Sequence, residues 1–310
     1  MALALIPLLL LTLAPAPQPP AGWTDGYVVA NGIRIHYWRT GGTKPPLVLA
    51  HGYTASLDMW RDQMPAFAAK YHVVIYDTRG HGATTAPADM DAYGLATDYV
   101  ADQAALMDHL GIESAYVGGL SMGGMIAQEF ALQHPERVKA LLLFDTGPGM
   151  GALQRDPAMR QRFEQMRGMM QTLARTKGMS AIVEAMRNSP IPGLSRGAVP
   201  DAVRRHAENM TKMSVDGYLG GSKSMQDWAG SLDRLGEITA PTLVLVGDKD
   251  NLLGASKVIH EKIAGSRFVL IRGVGHGSNF WNAEAFESAT LRFLADVESG
   301  APIAGEITLG

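Results

Sequence analysis

A chain of 310 residues, 46% hydrophobic and 18% charged, has the make-up of a packed globular protein. It is long enough for one large α/β domain with an insertion, or for two ordinary domains. A formal charge of -3 gives no electrostatic case for nucleic acid, and the absence of cysteine excludes disulfides, thiolate catalysis and cysteine-based zinc sites. The nine histidines are scattered with no pair at i, i+4 spacing, so the sequence indicates no metal site.

The first sixteen residues are apolar, with Leu3, Leu5, Ile6, Leu8 to Leu11 and Leu13 leading into Ala14-Pro15-Ala16. That run is too short for a transmembrane helix and has the length of a signal-peptide core. No Lys or Arg precedes Arg34, so two readings of residues 1–21 stand. One is a secretory signal on a secreted or periplasmic protein; the other is a disordered apolar N-terminus on a cytoplasmic one. Neither gives a stable membrane span.

After a proline-rich spacer, Tyr27-Val28-Val29-Ala30 and Ile33 to Trp38 flank Asn31-Gly32, the strongest short signal for a hairpin. The pattern then becomes strand and helix in alternation. Apolar strands are expected at Leu47–Ala50, Val73–Tyr76, Tyr116–Val117, Ala140–Phe144, Thr242–Gly247 and Phe268–Ile271. Helices are expected near residues 56–70, 95–110, 125–131, 255–263 and 284–297. Uniformly apolar strands separated by helices predict a mostly parallel central sheet covered by helices on both faces.

Between Gly147 and about Leu232 the pattern offers helices alone, near residues 157–174, 181–187, 199–213 and 216–228. Asn188-Ser189-Pro190 and Gly193 break them. Ten of the seventeen methionines fall between Met150 and Met225, a spacing that suits helix core, with an apolar pocket lining as the alternative use. The organisation that follows is a core of residues 22–146 and 235–298, a helical insertion over 147–234, and a loose tail from 299 to 310.

Tyr116 to Gly124 reads as a strand, a sharp turn and a helix start, with Ser121 at the apex. Gly119-x-Ser121-x-Gly123 has the frame of a nucleophile elbow, which lifts a serine hydroxyl clear of the sheet. Its turn leaves the Met122 amide free at a helix start, where it can receive an oxyanion. Acyl transfer also needs a base, an acid to orient that base, and a second oxyanion donor. Such groups gather at the carboxyl ends of parallel strands. His276 lies in the glycine-flanked loop after the last expected strand, and Asp250 follows the strand ending at Gly247. His51-Gly52-Tyr53 ends an earlier strand and offers the Tyr53 amide. Asp248 and Asp145 also follow strand ends and stand as alternatives for the acid.

Five landmarks in register carry a resemblance: His51-Gly52, Asp77-Thr78-Arg79-Gly80-His81-Gly82, Gly119-Leu120-Ser121-Met122-Gly123-Gly124, Gly247-Asp248-Lys249-Asp250 and Gly275-His276. From about Gly26 to Val297 the chain resembles an α/β-hydrolase-fold enzyme of the cap-bearing esterase, enol-lactonase and haloperoxidase-like branch. The resemblance implies the α/β-hydrolase fold with residues 147–234 as a helical cap. It implies a catalytic triad of Ser121, His276 and Asp250, because the family places its acid three residues past the strand-end glycine. It further implies Tyr53 and Met122 as the oxyanion hole, a small ester or lactone as substrate, and no cofactor. Serine at the apex argues against the relatives that use an aspartate nucleophile, the haloalkane dehalogenases and epoxide hydrolases. The rival activities on this fold are a cofactor-free perhydrolase, a carbon–carbon bond hydrolase, an aminopeptidase and a non-catalytic binding protein. Outside the catalytic set, His51, Asp77, Arg79 and His81 are expected to brace loops, and Trp60 to be core or cap contact.

Overall fold

Asn31 and Gly32 both adopt positive φ, 50° and 76°, the backbone of a two-residue turn that matches strand twist. Around them β1 (Thr24–Ala30) folds back on β2 (Ile33–Arg39), with Ala30 opposite Ile33. This computed structural model describes residues 18–149, 157–187 and 199–310. The apolar run expected as a leader, Met150, and the breaks at Asn188-Ser189-Pro190 and Gly193 lie outside the described residues.

The strands that follow are β3 (Pro46–Ala50), β4 (His72–Tyr76), β5 (Ala115–Leu120), β6 (Val138–Phe144), β7 (Thr242–Gly247), β8 (Arg267–Ile271) and β9 (Gly305–Leu309). They form a nine-stranded sheet in the order β1-β2-β4-β3-β5-β6-β7-β8-β9. Pairing is antiparallel from β1 through β2 to β4 and parallel from there on.

The helices are α1 (Met64–Ala68), α2 (Val100–His109), α3 (Met122–Gln133), α4 (Pro157–Lys177), α5 (Met179–Arg187), α6 (Asp201–Thr211), α7 (Val215–Asp227), α8 (Leu253–Lys262), α9 (Ser278–Trp281) and α10 (Ala283–Ser299). Alternate residues of each central strand feed opposite cores, as the two-residue strand period requires. Val48, Val74, Leu141 and Val244 pack with Leu106 of α2, Phe130 of α3 and Ile259 of α8. Leu49, Ile75, Leu142 and Leu245 pack on the other face with Phe67 of α1 and Phe286 and Phe293 of α10. The chain thus has the α/β-hydrolase architecture, a mostly parallel central sheet flanked by helices on both faces. Trp60 is fully buried against the rings of Phe144 and Phe286.

Two expectations need correction. Residues 56–70 do not form one helix: a 3-10 turn at Leu57–Trp60 precedes α1. Pro65 has no N–H to continue an α-helical ladder, so the chain restarts there. The tail over 299–310 is not loose either. Gly305–Leu309 form β9, which lies parallel to β8 with Phe268 opposite Glu306 and Ile271 opposite Leu309. Arg267 secures the approach by donating to the Pro302 and Ile303 carbonyls. A single edge strand whose partner is about 38 residues upstream leaves no local periodicity to read.

Among the described residues no strand lies between Phe144 and Thr242. Met179, Met210 and Met213 are buried together with Ile182, Val183, Tyr218 and Leu219, so these methionines are core to the insertion. Met166 and Met169 on α4 are instead exposed. The insertion is pinned to the sheet domain by Arg205, which pairs with Asp58 and Asp62, and by Trp228, whose indole N–H donates to Glu129 Oε1 at 2.8 Å.

A buried histidine joins the first hairpin to the loop after β4. His36 Nδ1 lies 2.6 Å from Asp77 Oδ2, and Nε2 lies 2.6 Å from Asp25 Oδ1. Both ring nitrogens can donate only in the imidazolium form. Burial opposes that charge, but the bonds and charges of Asp77 and Asp25 outweigh it and raise the His36 pKa. A raised folded pKa gives stability that is fully present below the unfolded value of about 6.5 and is lost as pH rises through the folded value. Urea denaturation across pH should therefore show a declining limb above that point, and His36→Gln should flatten it. An identical pH dependence in both proteins would refute the linkage.

Candidate active site

The elbow is made by backbone atoms that leave no room for side chains. A Cβ on Gly119 would lie 2.3 Å from the Gly123 carbonyl carbon, and one on Gly123 would lie 2.3 Å from the Ala50 carbonyl oxygen. Glycine at both positions lets β5, α3 and the end of β3 meet. Ser121, between them, takes φ 57° and ψ −116° as N-cap of α3. Such a backbone costs on the order of 1–3 kcal/mol in a non-glycine residue. It is held by Ser121 N–H donating to Phe144 O at 2.9 Å and by Ser121 O accepting from Thr146 Oγ1 at 2.7 Å.

The loop after β3 lies against the serine. A Cβ on Gly52 would sit 3.4 Å from Ser121 Cβ, so His51-Gly52-Tyr53 borders the hydroxyl. Neither the Tyr53 nor the Met122 N–H donates to another backbone group among the described residues. Met122 is the first residue of α3, where an amide has no acceptor within the helix. Thr54 has a positive φ of 65°, which turns the chain sharply just past Tyr53. The Tyr53 side chain points to the insertion, where its hydroxyl donates to Tyr218 O at 2.6 Å and its ring stacks on Tyr218.

His51 shapes this loop as a neutral ring. Its Nε2 accepts from Thr78 N–H at 3.0 Å, so the proton sits on Nδ1 and is donated to Gly52 O at 2.8 Å. Burial lowers its pKa, against the Asp77 charge and the Gly52 bond. His81 is likewise kept neutral: burial and the neighbouring His51 push it down to about 3. Asp77 accepts from the Leu57 and Ala83 amides, and its pairing with His36 outweighs burial to lower its pKa. Arg79 is a brace, locked by two bonds to Asp102 at 2.9 and 2.7 Å.

Beyond the strand ends of β7 and β8 the structure brings His276 and Asp250 together. His276 Nδ1 donates to Asp250 Oδ2 at 2.9 Å, which leaves Nε2 with its lone pair. The carboxylate is 1% exposed and the imidazole 46%, so a buried anion supports a ring that solvent and ligand can reach. Burial lowers the His276 pKa, but the Asp250 hydrogen bond and the charges of Asp250 and Asp145 outweigh it, and the net direction is up. Asp248 is turned away and accepts from Gly273 N–H at 2.8 Å. Ser121 Oγ makes no hydrogen bond among the described residues, so the serine–imidazole contact is the one link of the expected relay that is unmade.

Two residues near this centre, Thr146 and His206, had no role in the sequence, and a third, Asp145, stood there as an alternative for the acid. Thr146 anchors the elbow carbonyl, and nothing in its neighbourhood signals that. Asp145 accepts from the Gly247, Gly277 and Ser278 amides, and its place at a strand end was the only hint. His206 on α6 packs its ring at a tilt against Phe280, and burial with the proximity of His51 and His276 pushes its pKa down to about 4. His206 lies 85 residues past Ser121 and 70 before His276, and that separation hides the proximity.

A family profile described as alpha/beta hydrolase fold matches residues 45–283. The chain belongs to the α/β-hydrolase family. It is 29% identical to 3-oxoadipate enol-lactonase 2 of Acinetobacter baylyi over 269 residues, covering 84% of this chain and 93% of the relative. It is 30% identical to the 2-hydroxy-6-oxononadienedioate/2-hydroxy-6-oxononatrienedioate hydrolase of Paraburkholderia phymatum, covering 84% and 91%. Among solved structures, the enol-lactonase of Burkholderia xenovorans superimposes with a TM-score of 0.73 at 27% identity, covering 87% of this α/β-hydrolase and all of that chain (100%).

The close approach of Gly123 to Ala50 makes a direct test of the elbow. Gly123→Ala forces backbone apart, and we expect a loss of about 1–3 kcal/mol in urea denaturation, with hydrolase activity reduced at least about 100-fold. A variant as stable as the parent would show that the contact is not a constraint.

Proposed function

We propose that this α/β-hydrolase is a serine hydrolase that cleaves a carboxylic ester or lactone through an acyl-enzyme on Ser121. The observation that carries the reading is the His276–Asp250 bond at the same end of the parallel strands as a serine held at an elbow, with the Tyr53 and Met122 amides making no backbone hydrogen bond among the described residues. His276 Nε2 takes the Ser121 hydroxyl proton as Oγ adds to the substrate carbonyl carbon. Asp250 fixes the Nδ1–H tautomer and stabilises the imidazolium that forms. The Tyr53 and Met122 amides receive the oxyanion. The tetrahedral adduct collapses, the carbonyl carbon–oxygen bond breaks, and the imidazolium returns its proton to the leaving alcohol oxygen. Water, deprotonated by the same histidine, then releases the acid and restores Ser121. No cofactor enters these steps.

The serine–imidazole contact is expected to tighten in the substrate complex, as catalytic hydrogen bonds commonly do. Similarity to the Acinetobacter and Burkholderia enol-lactonases supports a lactone or ester as the substrate class. A second reading has a specific relative behind it. The Paraburkholderia hydrolase is named for 2-hydroxy-6-oxo compounds, which carry a ketone in place of an ester, and the same residues would serve addition to that carbonyl.

Hydrolysis of p-nitrophenyl butyrate should fall by at least about a thousandfold in kcat in Ser121→Ala. Retained turnover in that variant would remove the mechanism, and loss of a dienone chromophore without ester hydrolysis would favour the second reading. Asp250→Asn should lose about a thousandfold or more in kcat, whereas Asp248→Asn should stay within about threefold. Equal losses would refute the assignment of the acid. Because His276 works as a base only when neutral, kcat/KM should fall as pH drops through its raised pKa, with a midpoint above the ordinary histidine value of about 6.5.

A further inference from the structure

Asp145 ends β6, is fully buried, and has a φ of 44°, a conformation that a non-glycine residue keeps only where its surroundings fix it. Its carboxylate shows what fixes it. Oδ1 accepts from Gly247 N–H at 3.2 Å, three residues before Asp250. Oδ2 accepts from the Gly277 and Ser278 N–H groups at 3.1 and 2.7 Å, directly after His276. The same two loops also press on each other, since a Cβ on Gly247 would lie 2.4 Å from Val274 O. One carboxylate therefore bridges the loop of the acid to the loop of the base.

We propose that Asp145 is a positioning residue for His276, a second buried carboxylate that holds the loop of the base against the loop of the acid without touching the ring. The proposal rests on the reading of Ser121, His276 and Asp250 as the working triad. Three converging donors need an acceptor at each oxygen, and a carboxylate is acceptor-only at both. An asparagine of the same shape would turn an N–H toward an N–H at one end.

The charge acts with the geometry. The groups that face His276 are Asp250 in its hydrogen bond, Asp145 behind its loop, and His206 from α6. Both carboxylates favour the imidazolium, while a charge on His206 opposes it. Burial pushes Asp145 up, the His276 charge pulls it down, Asp250 pushes it up again, and the balance stands at about 6. Asp145 is thus an anion at neutral pH, when the imidazolium must form in the transition state. It takes up a proton as the solution becomes acid, and its support of the imidazolium is lost there.

Asp145→Asn tests this with p-nitrophenyl butyrate as substrate. We expect kcat to fall about 10- to 100-fold with KM nearly unchanged, and the acid limb of kcat/KM to move to lower pH. A purely structural residue would lower the melting temperature and the active fraction and leave that limb in place. An unmoved limb, or an unchanged kcat, overturns the proposal. Should the variant fail to fold, the wild-type protein carries the test through the His276 ring resonances. A titration spread over two coupled proton steps supports it, and a single-proton curve overturns it. Activity surviving in Ser121→Ala would defeat the triad reading itself, whereas an intact triad with an unmoved limb defeats only the role of Asp145.

Discussion

Backbone presses on backbone at the top of the sheet, where Gly119 meets Gly123 and Gly123 meets the Ala50 carbonyl. Those contacts fix the angle at which α3 leaves β5, and with it the strained φ of Ser121. The strain is retained because the surrounding sheet has no softer place to yield: β3, β5 and β6 are buried almost throughout and are paired on both sides, with one register shift between β5 and β6 at Ala115/Tyr116, far from the elbow. Thr54, Ser121 and Asp145, three of the four non-glycine residues with positive φ among the described residues, sit around this one point. The fourth, Asn31, only turns a hairpin. Strain is concentrated where the chain has to present atoms to a ligand.

Around that mechanical centre the electrostatics are arranged by buried carboxylates, each with assigned partners. Asp77 and Asp102 neutralise His36 and Arg79 and so stiffen the loop after β4. Asp250 faces the imidazole, and Asp145 faces only amides. The division matters because an unpaired anion in a low-dielectric interior would be protonated and useless as a partner for a cation. His51 and His81 are held neutral in the same region, whereas the carboxylates around His276 raise its pKa.

The helical insertion touches this centre through few, specific contacts. Tyr53 reaches up to Tyr218, Arg205 reaches down to Asp58 and Asp62, and His206 lies close to His51 and His276. The loop after β3 is thereby tied to the insertion as well as to the sheet. A movement of α6 or α7 would be felt at Tyr53 and His206 before it reached Ser121.

Much of the fold was legible in the amino-acid order because it is local. Asn31-Gly32 dictates a hairpin, apolar runs of strand length alternate with helical periods, and two glycines around Ser121 mark a turn that only a missing Cβ allows. The positions of Ser121, Asp250 and His276 at strand ends followed from the same patterns. Tertiary structure alone decided what those ends meet. Asp250 faces the imidazole and Asp248 does not, although only two positions separate them, because the turn after Gly247 aims alternate side chains apart. Asp145 joins amides 102 and 133 positions away, and β9 completes the sheet on a strand remote in sequence. Pairings of that range are set by parallel crossovers and shared packing, and no local period in the chain records them.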